Sequence, residues 1–204
     1  MHTKLERIRE LDARAVRYSV ELVGQAASTD LDRPTPCAGW TLADLLGHMT
    51  AQHRGFGKAA AGDGGDRTHW AIAPLGTDPA ATYRESADAL IAAFAEVAGE
   101  EVEFDLPEFG VDRGFPAVEA IGFHFIDYLV HGWDVARALG VPFEPEADLV
   151  TAGLPIALAV PDTDHRLRPG AAFAPSLDGW DRTRALDRIL LYLGRSPRWP
   201  ATTG

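Results

Sequence analysis

PAVEAIGFHFIDYLVHGWDVARALG, residues 116–140, is the stretch of this sequence that decides its fold. Its opening proline and closing glycine are residues that typically begin and end a helix. At about 100° per residue, apolar side chains cover two adjoining faces of that helix. One face holds Val118, Ile121, Phe125, Leu129, Gly132, Ala136 and Leu139, and the other holds Phe123, Ile126, Val130 and Trp133. A helix that is apolar over most of its circumference is predicted to lie at the centre of an all-α protein.

The remaining sector of this helix is polar, but its composition is not that of a solvated face. It contains only alanine, histidine and aspartate, at Ala120, His124, Asp127, His131, Asp134 and Ala138. Solvated faces normally carry long charged side chains, and this sector has none. Because an unpaired buried charge is costly, buried imidazole and carboxylate groups need partners. We therefore expect this sector to face an interior cavity.

A divalent metal ion is one partner that would satisfy both kinds of group. Asp127 and His131 are four residues apart, so they lie on the same side of successive helical turns. A third ligand must then come from another helix, and His48 on the second predicted helix is the candidate. Spacing alone leaves open the alternative of a metal-free, hydrogen-bonded pair. Asp134 is expected to be a further metal ligand, to stabilise the helix, or to orient a metal-bound imidazole.

Three further helices are predicted ahead of this one. The first runs from Lys4 to about Ala27, and the second starts at Thr41, where Asp44 three residues later completes a reciprocal cap. The third starts at residues 78–79, Asp-Pro, and ends at Gly99. Residues 100–115 are predicted to be an irregular link with at most a brief extended turn. Four helices of this length predict an antiparallel four-helix bundle over residues 1–140.

The remainder of the chain, residues 141–204, holds eight of the fourteen prolines. Short helices are expected around residues 147–160 and 183–194. About 60 proline-rich residues make a poor independent core. This part is therefore predicted to be a C-terminal extension packed on the bundle, and not a domain of its own.

Composition and charge argue against several classes of partner. The formal net charge is -11, from 30 acidic and 19 basic side chains, and such a surface repels nucleic acids and anionic membranes. The amino terminus is charged and lacks the apolar segment of a signal peptide, and no apolar run approaches the roughly 20 residues that span a bilayer. The single cysteine, Cys37, fits a reducing compartment. We expect a cytoplasmic protein that binds neither nucleic acid nor membranes.

Three motifs together resemble a known family. TPCAGWTLADLLGHM (35–49), DYLVHGWDVARALG (127–140) and LGRSPRW (193–199) are similar to motifs of actinobacterial DinB-like proteins, which are related to mycothiol-dependent maleylpyruvate isomerase and to bacillithiol and mycothiol S-transferases. The resemblance implies a metal held by a histidine of the second helix, matching His48, and by a carboxylate and a histidine of the fourth, matching Asp127 and His131. It also implies a homodimer. This chain departs from the isomerase in two respects. It has Asp127 where the isomerase has glutamate, and its C-terminal part is shorter.

Three protein ligands would leave coordination positions open, as in catalytic zinc sites. Zinc is the expected ion, with nickel or iron as alternatives because two histidines and one carboxylate also suit those metals. A thiol or a water bound at an open position loses its proton more readily. We therefore expect a metal-dependent thiol S-transferase or isomerase that uses a low-molecular-weight thiol of the mycothiol type and an electrophile. The alternative is a metal-binding or ligand-binding bundle without turnover.

Three other side chains bear on the predicted site. His124, one helical turn from Asp127, is the candidate catalytic residue, as a general acid or base. It could equally be a neutral hydrogen-bonding residue or a fourth ligand. His53, five residues from His48, is expected at the surface. Cys37 is expected to be a buried, small apolar residue in preference to a nucleophile.

Overall fold

The computed structural model describes residues 2–107, 110, 113–168 and 171–200. Over these ranges the chain is mostly helical, so the predicted all-α class is confirmed. The α-helices of the described residues are α1 (Lys4–Val23), α2 (Leu42–Ala60), α3 (Pro79–Ala95), α4 (Ala117–Leu139), α5 (Ala147–Ala159) and α6 (Ala185–Tyr192). Two short strands, β1 (Glu103–Phe104) and β2 (Phe115–Pro116), pair in antiparallel register between α3 and α4.

The helix starts follow the capping signals of the sequence. Thr41 accepts a hydrogen bond from the backbone N–H of Asp44, whose carboxylate accepts one from the N–H of Thr41 in return. Asp78 caps α3 in a similar way, with Pro79 as the first helical residue. Because these caps satisfy backbone donors that have no partner inside the helix, they fix where each helix begins. The cap at Thr41 therefore fixes the start of the helix that carries His48.

Two helices end earlier than their apolar periodicity predicts. α1 ends at Val23, and the N–H groups of Gln25 and Ala26 bond to carbonyls three residues back. This tighter pattern is common at the last turn of a helix and turns the chain before Ala27. α3 ends at Ala95 in the same manner, four residues before the predicted stop at Gly99.

The four long helices pack on one another, with α1 and α2 each contacting both α3 and α4. These contacts are those expected of the predicted bundle. The polar sector of α4 is buried together with its apolar faces, and only Asp127 in it is partly exposed. The sector is therefore buried, as predicted, while the interior cavity stays a prediction.

The C-terminal part forms the two short helices expected there. α5 packs on α4, and α6 packs on α5, so that Leu149, Ile189 and Leu190 join the hydrophobic core of the long helices. The division into residues 1–140 and 141–204 stays a prediction. The link predicted over 100–115 contains β1 and the first residue of β2, and its residues 108–109 and 111–112 lie outside the described residues. Among the described helices, none is long and apolar enough to cross a bilayer.

Candidate metal centre

Packing of α2 against α4 brings together the three side chains predicted as metal ligands. His48, Asp127 and His131 each offer one ligand atom, and these atoms all lie within 4.8 Å of one another. The Nε2 atom of His131 is 3.4 Å from Oδ1 of Asp127, and the rings of His48 and His131 are 5.3 Å apart between centroids. His131 is buried, while His48 and Asp127 are partly exposed. The group therefore sits at the edge of the core, with His48 and Asp127 partly in contact with solvent.

The orientation of His131 is set by Asp134, one turn further along α4. The imidazole donates its Nδ1–H to Oδ2 of Asp134 at 2.9 Å, and both side chains are buried. This bond leaves Nε2, on the other side of the ring, directed toward Asp127. A carboxylate that accepts from one ring nitrogen fixes the tautomer that presents the other nitrogen to a metal. Of the three roles expected for Asp134, the structure favours the orienting one.

A second group of potential ligands, Cys37, His131 and Asp134, also lies within ligand distance. A cation already occupies this position, because Arg195 lies beside both Asp134 and Cys37. Its Nε donates to the two oxygens of Asp134 at 3.1 and 3.2 Å, and its Nη2 donates to Sγ of Cys37 at 3.2 Å. The guanidinium therefore supplies the positive charge that a metal would otherwise bring. His48, Asp127 and His131 are the better candidate centre.

The pKa values of the two histidines at the centre are shifted in opposite directions. Burial, together with the positive charge of His131, lowers the pKa of His48 to about 4, although Asp127 opposes the shift. His48 is thus neutral near pH 7 and has a lone pair to donate. Burial alone would lower the pKa of His131, but the charge of Asp127 and the hydrogen bonds to Asp134 and Cys37 outweigh it and hold that pKa well above its usual value. In the metal-free protein a proton on Nε2 of His131 stands where a metal ion would bind.

Comparison with known proteins places the chain in a family. Residues 13–136, more than half of the chain, match the family model of the mycothiol maleylpyruvate isomerase N-terminal domain. The chain belongs to this family. Uncharacterized proteins from two strains of Mycobacterium tuberculosis are each 28% identical to it over 183 residues, which cover 87% of this chain and 91% of theirs.

Two solved structures of the family share the fold. They are the crystal structures of mycothiol-dependent maleylpyruvate isomerase and of a histidine-to-alanine mutant of that enzyme, with TM-scores of 0.57 and 0.61. Each is 16% identical to this chain, and each alignment covers 91% of this chain and 82% of the other. At that identity the likeness shows the fold, and the predicted DinB-like architecture is confirmed.

In this family member His124 lies in a separate polar cluster in the core. Its Nδ1 bonds to Oδ1 of Asp12 at 2.7 Å, and its ring stacks on Tyr128 with centroids 4.1 Å apart. Aromatic rings of Phe56 and Phe94 enclose it further. The structure thus directs His124 toward α1 and not into the ligand group. This position favours the hydrogen-bonding alternative, and a catalytic role for His124 stays a prediction.

The expectation of a surface position for His53 is wrong. His53 is only 1% exposed, its ring stacks on Tyr128 at 4.7 Å, and Nδ1 lies 2.8 Å from Oγ of Ser86. Since that hydroxyl donates to the carbonyl of Tyr83, it accepts a hydrogen from His53. The error arose because α2 is covered on two sides, by α3 and by α4, so a residue that points away from His48 still points into protein.

Cys37 is buried, as expected, but its surroundings are polar. Its Sγ lies 3.2 Å from Oδ2 of Asp134 and 3.2 Å from Nη2 of Arg195. Arg195 is a site residue that sequence reasoning missed. It lies in the motif LGRSPRW, where nothing in the local spacing indicates that its side chain points inward to a residue 61 positions away.

Proposed function

We propose that this chain is a metal-dependent enzyme of the thiol S-transferase or isomerase class, which uses a low-molecular-weight thiol of the mycothiol type. A divalent ion, zinc in the first place, would be held by His48, Asp127 and His131. The observation that carries the proposal is the convergence of one ligand atom from each of these residues within 4.8 Å. Membership of the mycothiol maleylpyruvate isomerase N-terminal domain family supports the thiol.

The chemistry of the donor set fits a catalytic ion. Two imidazole nitrogens and one carboxylate oxygen are ligands that zinc accepts, and three protein ligands leave room for an exogenous one. Nickel and iron accept the same donors. His48 is neutral because of its low pKa, and Asp134 holds the Nδ1 proton of His131, so each ring presents a nitrogen to the ion. Asp127, one methylene shorter than glutamate, lies on the same side of α4 as His131.

The charges near the centre favour an anionic ligand. Once His131 has released its Nε2 proton to bind an ion, Asp127 and Asp134 contribute two negative charges and Arg195 one positive charge, which leaves one net negative charge on these residues. A divalent ion would change this to one net positive charge, and a thiolate would neutralise it. When bound, such an ion lowers the pKa of a thiol or a water in its coordination sphere and makes it a nucleophile at neutral pH.

Apolar side chains beside the centre supply a surface for an organic substrate. The Trp40 ring lies 5.0 Å from that of His48, centroid to centroid, and is partly exposed. Ile72 is 63% exposed, and its Cγ2 lies so near Gly47 that a Cβ there would approach it to 3.1 Å. Gly47 precedes His48 in α2, so Ile72 lies against the turn of the helix that carries His48. Contacts with Trp40 and Ile72 would hold the apolar part of an electrophile and limit the access of water.

Turnover is tested with mycothiol and a panel of electrophiles, including maleylpyruvate, using zinc-reconstituted protein. The proposal predicts product formation that chelation abolishes and that His48→Ala lacks. The matched control is His165→Ala, because His165 is exposed and lies far along the chain in the extension. Zinc bound by the wild type without turnover of any substrate would instead favour a non-catalytic metal-binding bundle. The homodimer and the cytoplasmic location stay predictions.

A further inference from the structure

The motif LGRSPRW, residues 193–199, follows α6 and packs against the C-terminal half of α4. Arg137 of α4 donates through Nε and Nη2 to the carbonyl of Trp199, at 3.1 and 2.6 Å. Gly194 has a φ of +78°, and a Cβ there would come within 2.6 Å of the Cβ of Ala174. Only glycine adopts this turn without strain. The turn directs the next residue, Arg195, into the interior, where it reaches the other side of the metal centre.

Arg195 makes a buried ion pair with Asp134. Arg195 is 6% exposed and Asp134 is 0% exposed. Nε lies within hydrogen-bond distance of both carboxylate oxygens, and Nη2 binds Sγ of Cys37. The planar guanidinium thereby holds the carboxylate at a fixed rotation, with Oδ2 facing Nδ1 of His131. Removing one partner of such a pair leaves the other as an unpaired buried charge, which destabilises its present position.

We propose that Arg195 is a positioning residue of the metal centre. Acting through Asp134, it fixes the imidazole of His131 so that Nε2 faces Asp127 and His48. Residues 193–199, at the far end of the chain, are therefore part of the centre and not merely packing. The inference rests on the proposed function, because it concerns the same metal. Loss of an outer partner of a metal-bound histidine typically lowers metal affinity about 10- to 100-fold.

Arg166 offers a matched control for a purely structural role. It is also a buried arginine of the C-terminal part, and its guanidinium donates to the carbonyls of Val160, Pro161, Ala174 and Tyr192. Its ion pair is with Asp162, which belongs to the same part of the chain. Arg166 bonds within the C-terminal part, whereas among the contacts of the described residues only Arg195 touches Asp134.

The test measures zinc affinity by competition with a chromophoric chelator, the visible spectrum of the cobalt-substituted protein, and the stability of the metal-free protein. R195Q is expected to lower zinc affinity about 10- to 100-fold and to alter the cobalt ligand-field bands. R195K keeps the charge but not the planar fork, so its affinity should fall between those of R195Q and the wild type. R166Q is expected to destabilise the metal-free protein while zinc affinity stays within about twofold of the wild type.

If R195Q does not fold, R195K and D134N decide the question, since both retain part of the hydrogen-bonding network. Wild-type zinc affinity and an unchanged cobalt spectrum in the folded variants at residue 195 would overturn the inference and leave the proposed function intact. So would an equal loss of affinity in R166Q, because the effect would then come from the packing of the extension. A wild-type protein that binds no zinc would overturn both proposals.

Discussion

His48 is predicted to make the metal-free protein sensitive to acid. Burial lowers the pKa of this histidine to about 4, whereas in the unfolded chain it is about 6.5. Below pH 6.5 His48 binds a proton in the unfolded state but not in the folded state, so the free energy of unfolding falls as the pH falls. The stability associated with neutral His48 is fully present above the pKa of the unfolded chain and is lost progressively as the pH falls toward 4.

The size of the effect follows from the two pKa values. At pH 5 His48 is almost fully protonated in the unfolded chain but only about one-tenth protonated in the folded protein. The free energy of unfolding is therefore about 2 kcal/mol lower at pH 5 than at pH 7.5. His48→Gln removes the titrating group but keeps a polar side chain. We expect the variant to lose about 2 kcal/mol less stability than the wild type over this interval.

The assay is urea unfolding followed by far-UV circular dichroism at the two pH values, with a chelator present throughout. The other acid-sensitive groups, including His53, whose pKa is lowered by burial and by the charge of His124, act in both proteins and cancel in the difference. His165→Gln, at an exposed position, should keep the wild-type pH dependence. Equal pH dependence in the wild type and His48→Gln would refute the reasoning, because His48 would then not be held neutral by the fold.

Three further predictions concern the framework. Gly153→Ala places a Cβ 2.9 Å from Cδ2 of Leu129 and should lower the free energy of unfolding, measured by thermal denaturation, by about 1–3 kcal/mol. Gly57→Ala, whose new Cβ would have its nearest atoms at 3.9 Å, should be tolerated. Equal stability of the two variants would contradict the packing of α5 on α4. Thr41→Ala removes the cap of α2 and should lower the free energy of unfolding, measured with urea, by about 0.5–2 kcal/mol. An unchanged free energy of unfolding would count against the role of the cap. Sedimentation should show a homodimer, and a monomer at micromolar concentration would contradict that prediction.

Local signals predicted much of this fold. Thr41 with Asp44, and Asp78 with Pro79, marked helix starts because capping chemistry involves residues close together in the chain. The helical period of α4 likewise placed Asp127 and His131 on one side of that helix. Such features can be read from sequence since each depends on a few neighbouring residues.

The features that sequence reasoning missed depend on packing between distant segments. His53 appeared to point away from the core, but the position of α3 relative to α2 decides whether that direction leads to water. Arg195 contacts Asp134 across 61 residues, and Cys37 contacts the same carboxylate across 97. No periodicity within one helix contains information about these contacts. Arg195 and the polar surroundings of Cys37 could therefore not be predicted from the sequence, whereas the three proposed ligands and the orienting role of Asp134 could.

The metal content of the purified protein tests the central claim most directly. Elemental analysis should find about one equivalent of zinc or a similar ion in the wild type, since one three-residue centre is proposed. His131→Ala and Asp127→Ala should lose it, because two ligands and water hold a divalent ion poorly, while Asp127→Glu should retain it. His165→Ala replaces the same residue type at an exposed position and should keep the full metal content. Absence of stoichiometric metal from the wild type, with no gain in stability when zinc is supplied, would contradict the account.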